Sequence, residues 1–208
     1  KRMIMEDTRF AVRANKIFDE CVRLYHVTDD IDAPMPMPYP EGSVEAVLFE
    51  KNWIDAAQWH MEDIIRDPDI DPLEALALKR RIDASNQRRT DMVEQLDARF
   101  RDKYAGVKAL PGATINTESP AWAIDRLSIL ALKIWHMREQ AERADADAAH
   151  TARARGKLDI LLQQREDLTD AIDTLLDDIA AGRKYMKVYM QMKLYNDPST
   201  NPVLYGKK

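Results

Sequence analysis

The sequence predicts an all-α protein, a bundle of five or six helices, and three observations carry that prediction. Leu, Ala, Met and charged residues are abundant, whereas only 6 of the 208 residues are glycine, a composition typical of helices. Apolar residues recur at helical spacing, and the alternation typical of strands is hard to find. Two capping residues, Asp71 and Ser119, are each followed by proline, as at the first turn of a helix. We therefore expect residues 1–208 to form a single helical domain.

The first half of the chain contains three predicted helices. An N-terminal amphipathic helix is expected over residues 5–27. The linker after it has four prolines at alternate positions within residues 34–40, which favour an extended strap. A second helix begins after Ser43, and a third begins at Asp71, with Glu74 three residues after that cap. These two helices form a first hairpin over residues 44–104.

The second half is predicted to form another hairpin, over residues 119–181. Its first helix, which begins after Ser119, is apolar on nearly every side and should be the most buried of all. Its second helix is expected to begin near Lys157, after a solvated turn rich in alanine and charge. Gly182 marks a break, and residues 182–208 are predicted to form a C-terminal helix and a tail.

The two hairpins share a short repeated motif. The tripeptide Trp-His-Met occurs at residues 59–61 and again at 135–137, although the chain has only four Trp and four His. The same offset of 76 residues places Arg89 on Arg165. These matches predict that the hairpins descend from one unit and are related by a pseudo-two-fold axis. The alternative is that amphipathic helices resemble one another by composition and that the tripeptide match is chance.

Charge and cysteine usage limit the partners and the compartment. A net charge of −5 with mixed signs lacks the basic stripe of a nucleic-acid-binding protein, so no nucleic acid is expected. No apolar run approaches the roughly 18 residues that a membrane span needs. The single cysteine, Cys21, cannot form an internal disulfide, which favours a reducing, cytoplasmic location. The sequence does not decide whether the protein forms a homodimer, which is the partner we consider possible.

Three long blocks of the sequence resemble a known family. They are NWIDAAQWHMEDIIRDPDIDPLEALALKRRIDASNQRRTDMVE, SPAWAIDRLSILALKIWHM and GRKYMKVYMQMKLYNDPSTNPVLY. Together they are similar to the domain-of-unknown-function family 4254, known chiefly from Bacteroidetes, and the resemblance covers about Asn52 to Tyr205. It implies a bacterial, single-domain protein. It implies no activity, and no catalytic residues can be carried over from it.

Histidines and carboxylates recur at spacings that suit a metal site. His60 with Asp63, and His136 with Glu139, are three residues apart and so share a helical face. Histidines and carboxylates inside a bundle are typical of di-iron and di-manganese proteins, although those use Glu-x-x-His. The alternative is a core imidazole satisfied by a neighbouring carboxylate. The catalytic candidates are His60, Asp63, His136 and Glu139, and the candidate ligands of a divalent metal are these four with Asp91 and Glu94.

Several polar residues interrupt apolar helix faces. Arg89 and Arg165 are expected to form buried pairs with carboxylates that fix how the helices associate. The alternative is a basic pocket that binds a phosphate or carboxylate with two hydrogen bonds. Charged residues within the most apolar helix must also be paired or functional. The candidate ligand-binding residues are Asn86, Arg89, Asp125, Arg126 and Arg165.

Two classes of function follow from these patterns. The first is a binding or interaction protein whose buried network of His, Arg and carboxylate groups orders the core. The second is a metal- or phosphate-dependent enzyme, a hydrolase or a di-metal carboxylate protein, with its site between the two hairpins. The chain contains neither a nucleophile-elbow pattern nor a glycine-rich phosphate loop. The sequence alone therefore does not decide whether the protein is an enzyme.

Overall fold

The computed structural model describes residues 9–206. Its helices are α1 (Phe10–Tyr25), α2 (Val44–Ile64), α3 (Pro72–Tyr104), α4 (Pro120–Glu142), α5 (Ala148–Ala180), a short 3-10 helix (Leu194–Asn196) and α6 (Pro202–Tyr205). No strand forms among the described residues, so the predicted all-α fold is confirmed. Residues 5–8 of the predicted N-terminal helix lie outside the described part.

The helix starts at α2, α3 and α4 follow the predicted caps. The side chain of Ser43 accepts a hydrogen bond from the backbone N–H of Ala46. The Asp71 side chain accepts from the backbone N–H groups of Leu73 and Glu74, and Pro72 occupies the first helical position. Ser119 accepts from the N–H of Trp122. Each cap satisfies a backbone donor that has no partner within its own helix.

Helix α5 begins earlier than the sequence predicts. It starts at Ala148 rather than near Lys157, because the Asp147 side chain accepts a hydrogen bond from the His150 N–H at 2.7 Å and caps the helix. The alanine-rich stretch that follows is then helical, in keeping with the high helix propensity of alanine. The turn between α4 and α5 is correspondingly short.

The predicted C-terminal helix is absent between Arg183 and Lys193, where the described chain has no regular secondary structure beyond an isolated bridge between Thr114 and Lys184. Gly182 ends α5 with a φ of 72°, and a β-carbon at this position would lie 2.5 Å from the Lys108 carbonyl oxygen. The next backbone groups then bond to the preceding loop: Thr114 N–H donates to the Arg183 oxygen at 3.2 Å. Because the loop occupies these groups, they are not available to form a helical turn.

The helices pack so that α2 and α4 lie side by side. Helices α2 and α3 are antiparallel neighbours, joined by Gln58 Nε2, which donates to Asn86 at 2.9 Å. Helix α4 makes its most extensive contact with α5, and α1 packs against α2, α4 and α5. Between α2 and α4, Asn52 Nδ2 donates to Ser128 Oγ at 2.8 Å. Residues two turns further along both helices therefore also face each other.

A buried carboxylate joins α3 to the start of α4. The Asp97 side chain accepts a hydrogen bond from Ser119 Oγ at 2.7 Å and one from the Ala121 N–H at 3.4 Å, and the residue is 1% exposed. Burial raises the pKa of Asp97 above its usual 3.8, more than these two hydrogen bonds lower it. The Asp97 carboxylate therefore joins α3 to α4, but its ionised form is destabilised by burial.

The effect of Asp97 on stability should depend on pH. Its pKa is higher in the folded than in the unfolded chain, so its contribution is complete below about pH 3.8 and is lost as the pH rises through the raised value. Asp97→Asn removes this titration and keeps the side-chain shape. We expect urea denaturation to show that the free energy of unfolding of the variant rises relative to that of the wild type as the pH increases above about 4. The exposed Asp102→Asn on the same helix is the control, and an equal change in both variants would contradict the prediction.

Candidate functional site

Three histidines from three helices converge at one point of the bundle. His26 follows the last residue of α1, His60 lies on α2 and His136 on α4. One ring nitrogen of each lies within 4.8 Å of the others, and the two Nε2 atoms of His26 and His60 are 3.4 Å apart. Within residues 9–206, these histidines form the only group of three or more His, Cys, Asp or Glu side chains close enough to share a metal ion.

Each imidazole packs face to face with an aromatic ring, which restricts its rotation. The Trp of each repeated tripeptide does not pack on its own neighbour but on a histidine from another segment. The stacked pairs are His26 with Trp135, His60 with Tyr25 and His136 with Trp59, at ring-centroid distances of 4.6, 5.2 and 4.9 Å. The repeated motif therefore builds the wall of the cluster as well as two of its members.

The hydrogen-bond partners of two histidines leave their Nε2 atoms as acceptors. His26 Nδ1 lies 2.7 Å from the carbonyl oxygen of Val22, which can only accept, so Nδ1 carries the proton. His136 Nδ1 lies 3.0 Å from Glu139 Oε2, and the same reasoning protonates Nδ1. The Nε2 atom of His136 is buried and has no hydrogen-bond partner. In its neutral form, each of these two rings therefore has an unprotonated Nε2.

The third histidine, His60, lies beside an acidic residue on the loop after α1. Its Nε2 atom is 3.3 Å from Asp29 Oδ1, and the Asp29 side chain is more than half exposed. Asp29 has a φ of 52°, a left-handed conformation that Asp adopts more readily than most residues. Burial lowers the pKa of His60 below 6.5, and Asp29 offsets only part of that shift. Burial also lowers the pKa of His26, more than the Val22 carbonyl raises it.

A second polar group lies inside the bundle, an ion network of two cations and two carboxylates. Lys51 is fully buried, bonds to Asp55 one turn along α2, and has its Nζ 2.6 Å from Asp125 Oδ1. Arg89 bonds to Asp55 through Nε and lies 3.4 Å from Asp125 through Nη2. The charges balance within the network, which is how buried ions are tolerated.

Neutral side chains complete the ion network. Ser128 Oγ donates to Asp55 Oδ2 at 2.6 Å, and Asn52 donates to Ser128. Lys51, Asp55, Asn52 and Ser128 were not among the residues predicted from the sequence. The sequence did contain a signal for this pair. Lys51 and Asp55 are four residues apart and so share one face of α2, and because α2 is apolar around most of its circumference, charges on it are expected to be buried and paired.

The predicted metal ligands divide into two groups. His60 and His136 come together, and Glu139 bonds to His136. Asp63 is exposed and forms no hydrogen bond with His60. Asp91 accepts from Gln87, and Glu94 accepts from the backbone of the C-terminal segment, so both lie outside the histidine cluster. His26 was not predicted, since it belongs to no repeat and lies in a loop at the end of α1.

The predicted ligand-binding residues also separate. Asn86, Arg89 and Asp125 meet, since Arg89 lies 3.4 Å from both of the others. Arg126 is exposed and pairs with Glu118. Arg165 pairs with Asp19 on α1, with Nη1 2.9 Å from Oδ1, rather than with the histidines or Arg89. Arg165 therefore joins α5 to α1, and the repeat offset between Arg89 and Arg165 does not bring them to one site.

The fold and the cluster define a helical-bundle protein in which three imidazoles gather between α1, α2 and α4. The chain belongs to the family described as protein of unknown function, DUF4254, whose model matches residues 45–188. The expected family membership is thereby confirmed, although the tail after residue 188 is not part of the match. His60 and His136 lie within the matched range, and His26 precedes it.

Two further findings concern the other comparisons and the length of the apolar helices. No match was found among curated proteins or solved structures. None of the helices in the described part of the chain is both long and apolar enough to cross a membrane.

Proposed function

We propose that the protein binds a divalent transition-metal ion, zinc in the first place, through His26, His60 and His136. The observation that carries the proposal is the distance of 3.4 Å between two Nε2 atoms. Two nitrogens that each lie about 2.0–2.1 Å from a tetrahedral zinc ion are about 3.3–3.4 Å apart. The spacing of the His26 and His60 imidazoles therefore suits a shared ion, and a ring nitrogen of His136, within 4.8 Å of theirs, would supply the third ligand.

The chemistry of the donors supports the same assignment. Metal ions take the neutral imidazole, and burial, which lowers the pKa of His26 and His60, favours that form near neutral pH. A backbone carbonyl behind His26 and a carboxylate behind His136 orient the rings in the way that metal-binding histidines are usually held. His136 Nε2 is buried and has no hydrogen-bond partner, and a bound metal ion would give it one.

A site with three protein ligands favours catalysis over a purely structural role. Structural zinc sites have four protein ligands, whereas catalytic sites keep one position for water. A zinc ion held by these histidines would lower the pKa of a bound water to about 7 and so would supply the nucleophile for hydrolysis of carbonyl or phosphoryl groups, the reaction class that fits best. Asp29, whose side chain is more than half exposed and lies 3.3 Å from His60 Nε2, is a carboxylate that could accept a proton from such a water.

The second candidate function is a binding or interaction protein without a metal. It is favoured by the ion network, in which both carboxylates and both cations have partners of opposite charge. On this alternative the histidines are core imidazoles and their convergence fixes only the packing of α1 against α2 and α4. A cytoplasmic location and a homodimer stay predictions under either function.

We infer that the histidine site lies between two copies of one ancestral hairpin. Two contacts support this inference: Asn52 with Ser128, and His60 with His136, each pair separated by 76 residues. A pseudo-two-fold axis between α2 and α4 would bring such equivalent positions together. The alternative is that a parallel pair of similar helices meets in the same register by packing alone.

Zinc titration of the metal-stripped chain tests the proposed function. We expect one equivalent of zinc to bind. Glu139→Gln should weaken that binding by about 10- to 100-fold, because the carboxylate that orients His136 is lost. Glu142→Gln is the matched control, since Glu142 is an exposed glutamate on the same helix. Competition with a chromophoric chelator gives the dissociation constants.

Two results would contradict the metal assignment. One is the absence of stoichiometric binding of zinc, manganese, iron or nickel by the wild-type chain. The other is equal affinity of Glu139→Gln and Glu142→Gln, which would mean that metal binds away from His136. Either result would leave the binding protein as the better proposal.

A further inference from the structure

A cavity of about 310 Å³ lies between α2, α3 and α4, beside the ion network. Asp55 and Arg89, with side chains 2% and 19% exposed, form its buried end. Trp59, Ile129 and Leu132 supply apolar surface, and its rim includes Glu62, Asp63 and Arg66. A volume of about 300 Å³ is at the lower end of the range for small-molecule sites.

Arg89 has hydrogen-bond donors left over at the buried end of this cavity. A guanidinium has five N–H groups. Within residues 9–206, Nε donates to Asp55, Nη1 to Asn86 and Nη2 to Asp125, one bond each. One N–H on each terminal nitrogen therefore has no acceptor among the described residues. Two such donors on one guanidinium match the two oxygens of a carboxylate.

The charges around Arg89 favour an acceptor of low charge. Lys51 and Arg89 are balanced by Asp55 and Asp125, so the network has no net charge to repel or strongly attract a ligand. At the rim, Glu62 is paired with Arg66. A single carboxylate can accept hydrogen bonds from the two remaining N–H groups of Arg89. A phosphate has more oxygen atoms and more negative charge than these two donors can neutralise.

We propose that this cavity binds a small organic monocarboxylate with a flat apolar body. The carboxylate bonds to the two remaining N–H groups of Arg89, and the body packs between the Trp59 ring and the side chains of Ile129 and Leu132. The ion network fixes the position of the guanidinium, since Asp55 and Asp125 hold two of its three nitrogens. This binding uses none of the three histidines and goes beyond the proposed function, although Trp59 lines the cavity and also stacks on His136.

Fluorine NMR with three matched probes tests the recognition of the carboxylate. The probes are 4-fluorophenylacetate, 4-fluorophenethylamine and 2-(4-fluorophenyl)ethanol, which share one aromatic body and differ in the polar group. We expect the acid to bind the wild-type chain at least about tenfold more tightly than the other two, because only it completes the hydrogen bonds of Arg89. Equal binding of all three, or no response of the acid at millimolar concentration, would overturn the proposal.

A second comparison locates the bound acid. Ile129→Trp fills the cavity from its wall and leaves the ion network intact. Ile160→Trp is the matched control, since Ile160 is 70% exposed on α5. We expect the first variant to lose at least about tenfold in affinity for 4-fluorophenylacetate and the control to bind like the wild type. Circular dichroism verifies that both variants fold, and unchanged affinity in a folded Ile129→Trp would overturn the assignment to this cavity.

Discussion

Lys51→Met is expected to lower the free energy of unfolding by about 3–5 kcal/mol, the usual effect of removing one partner from a buried ion pair. Lys51 is fully buried and contacts both Asp55 and Asp125. Without its ammonium group, two buried carboxylates share the single positive charge of Arg89. The methionine replaces the aliphatic part of the side chain, so the loss reports on the uncompensated charge rather than on a cavity.

Urea denaturation measures this effect, and the chain contains a close control. Lys79 pairs with Asp83 at the same spacing of four residues, but its side chain is 54% exposed. Lys79→Met should therefore change the free energy of unfolding by no more than about 1 kcal/mol. Similar losses in the two variants would contradict the view that burial makes the Lys51 network essential.

His26→Ala is expected to abolish most of the stabilisation that zinc gives the folded chain. Removal of one of three ligands should weaken zinc binding at least about 100-fold, the upper limit for loss of a group that merely orients a ligand. At a zinc concentration of about 100 times the wild-type dissociation constant, the wild type gains about 2.7 kcal/mol, whereas the variant gains about 0.4 kcal/mol or less. Denaturation with and without zinc gives both values.

Comparison within each variant separates metal binding from packing. His26 stacks on Trp135, so His26→Ala lowers stability even without metal, and only the difference made by zinc is diagnostic. His150→Ala is the matched control, because His150 is the fourth histidine and bonds to Gln140 outside the cluster. A zinc-dependent gain that survives in His26→Ala would show that the ion binds elsewhere in the chain.

Local sequence signals predicted most of the helical architecture. Ser43, Asp71 and Ser119 act as caps because a capping hydrogen bond involves residues only two or three positions apart. The same kind of signal is present at Asp147, whose capping hydrogen bond starts α5 earlier than the predicted position near Lys157. The tail after Gly182 could not be predicted in this way, since its backbone bonds to a loop some 70 residues earlier in the chain.

The sequence by itself determined most of the helices and the all-α class. Through the repeated tripeptide, it also identified His60 and His136 as candidate site residues. Only the tertiary structure decided that His26 joins them, and that Lys51 and Asp55 meet Arg89 and Asp125 in the core. The reason is physical. Helix caps and helical periodicity depend on neighbours along the chain, whereas a shared metal site or a balanced ion network depends on how distant helices cross, and that is set by packing of the whole core.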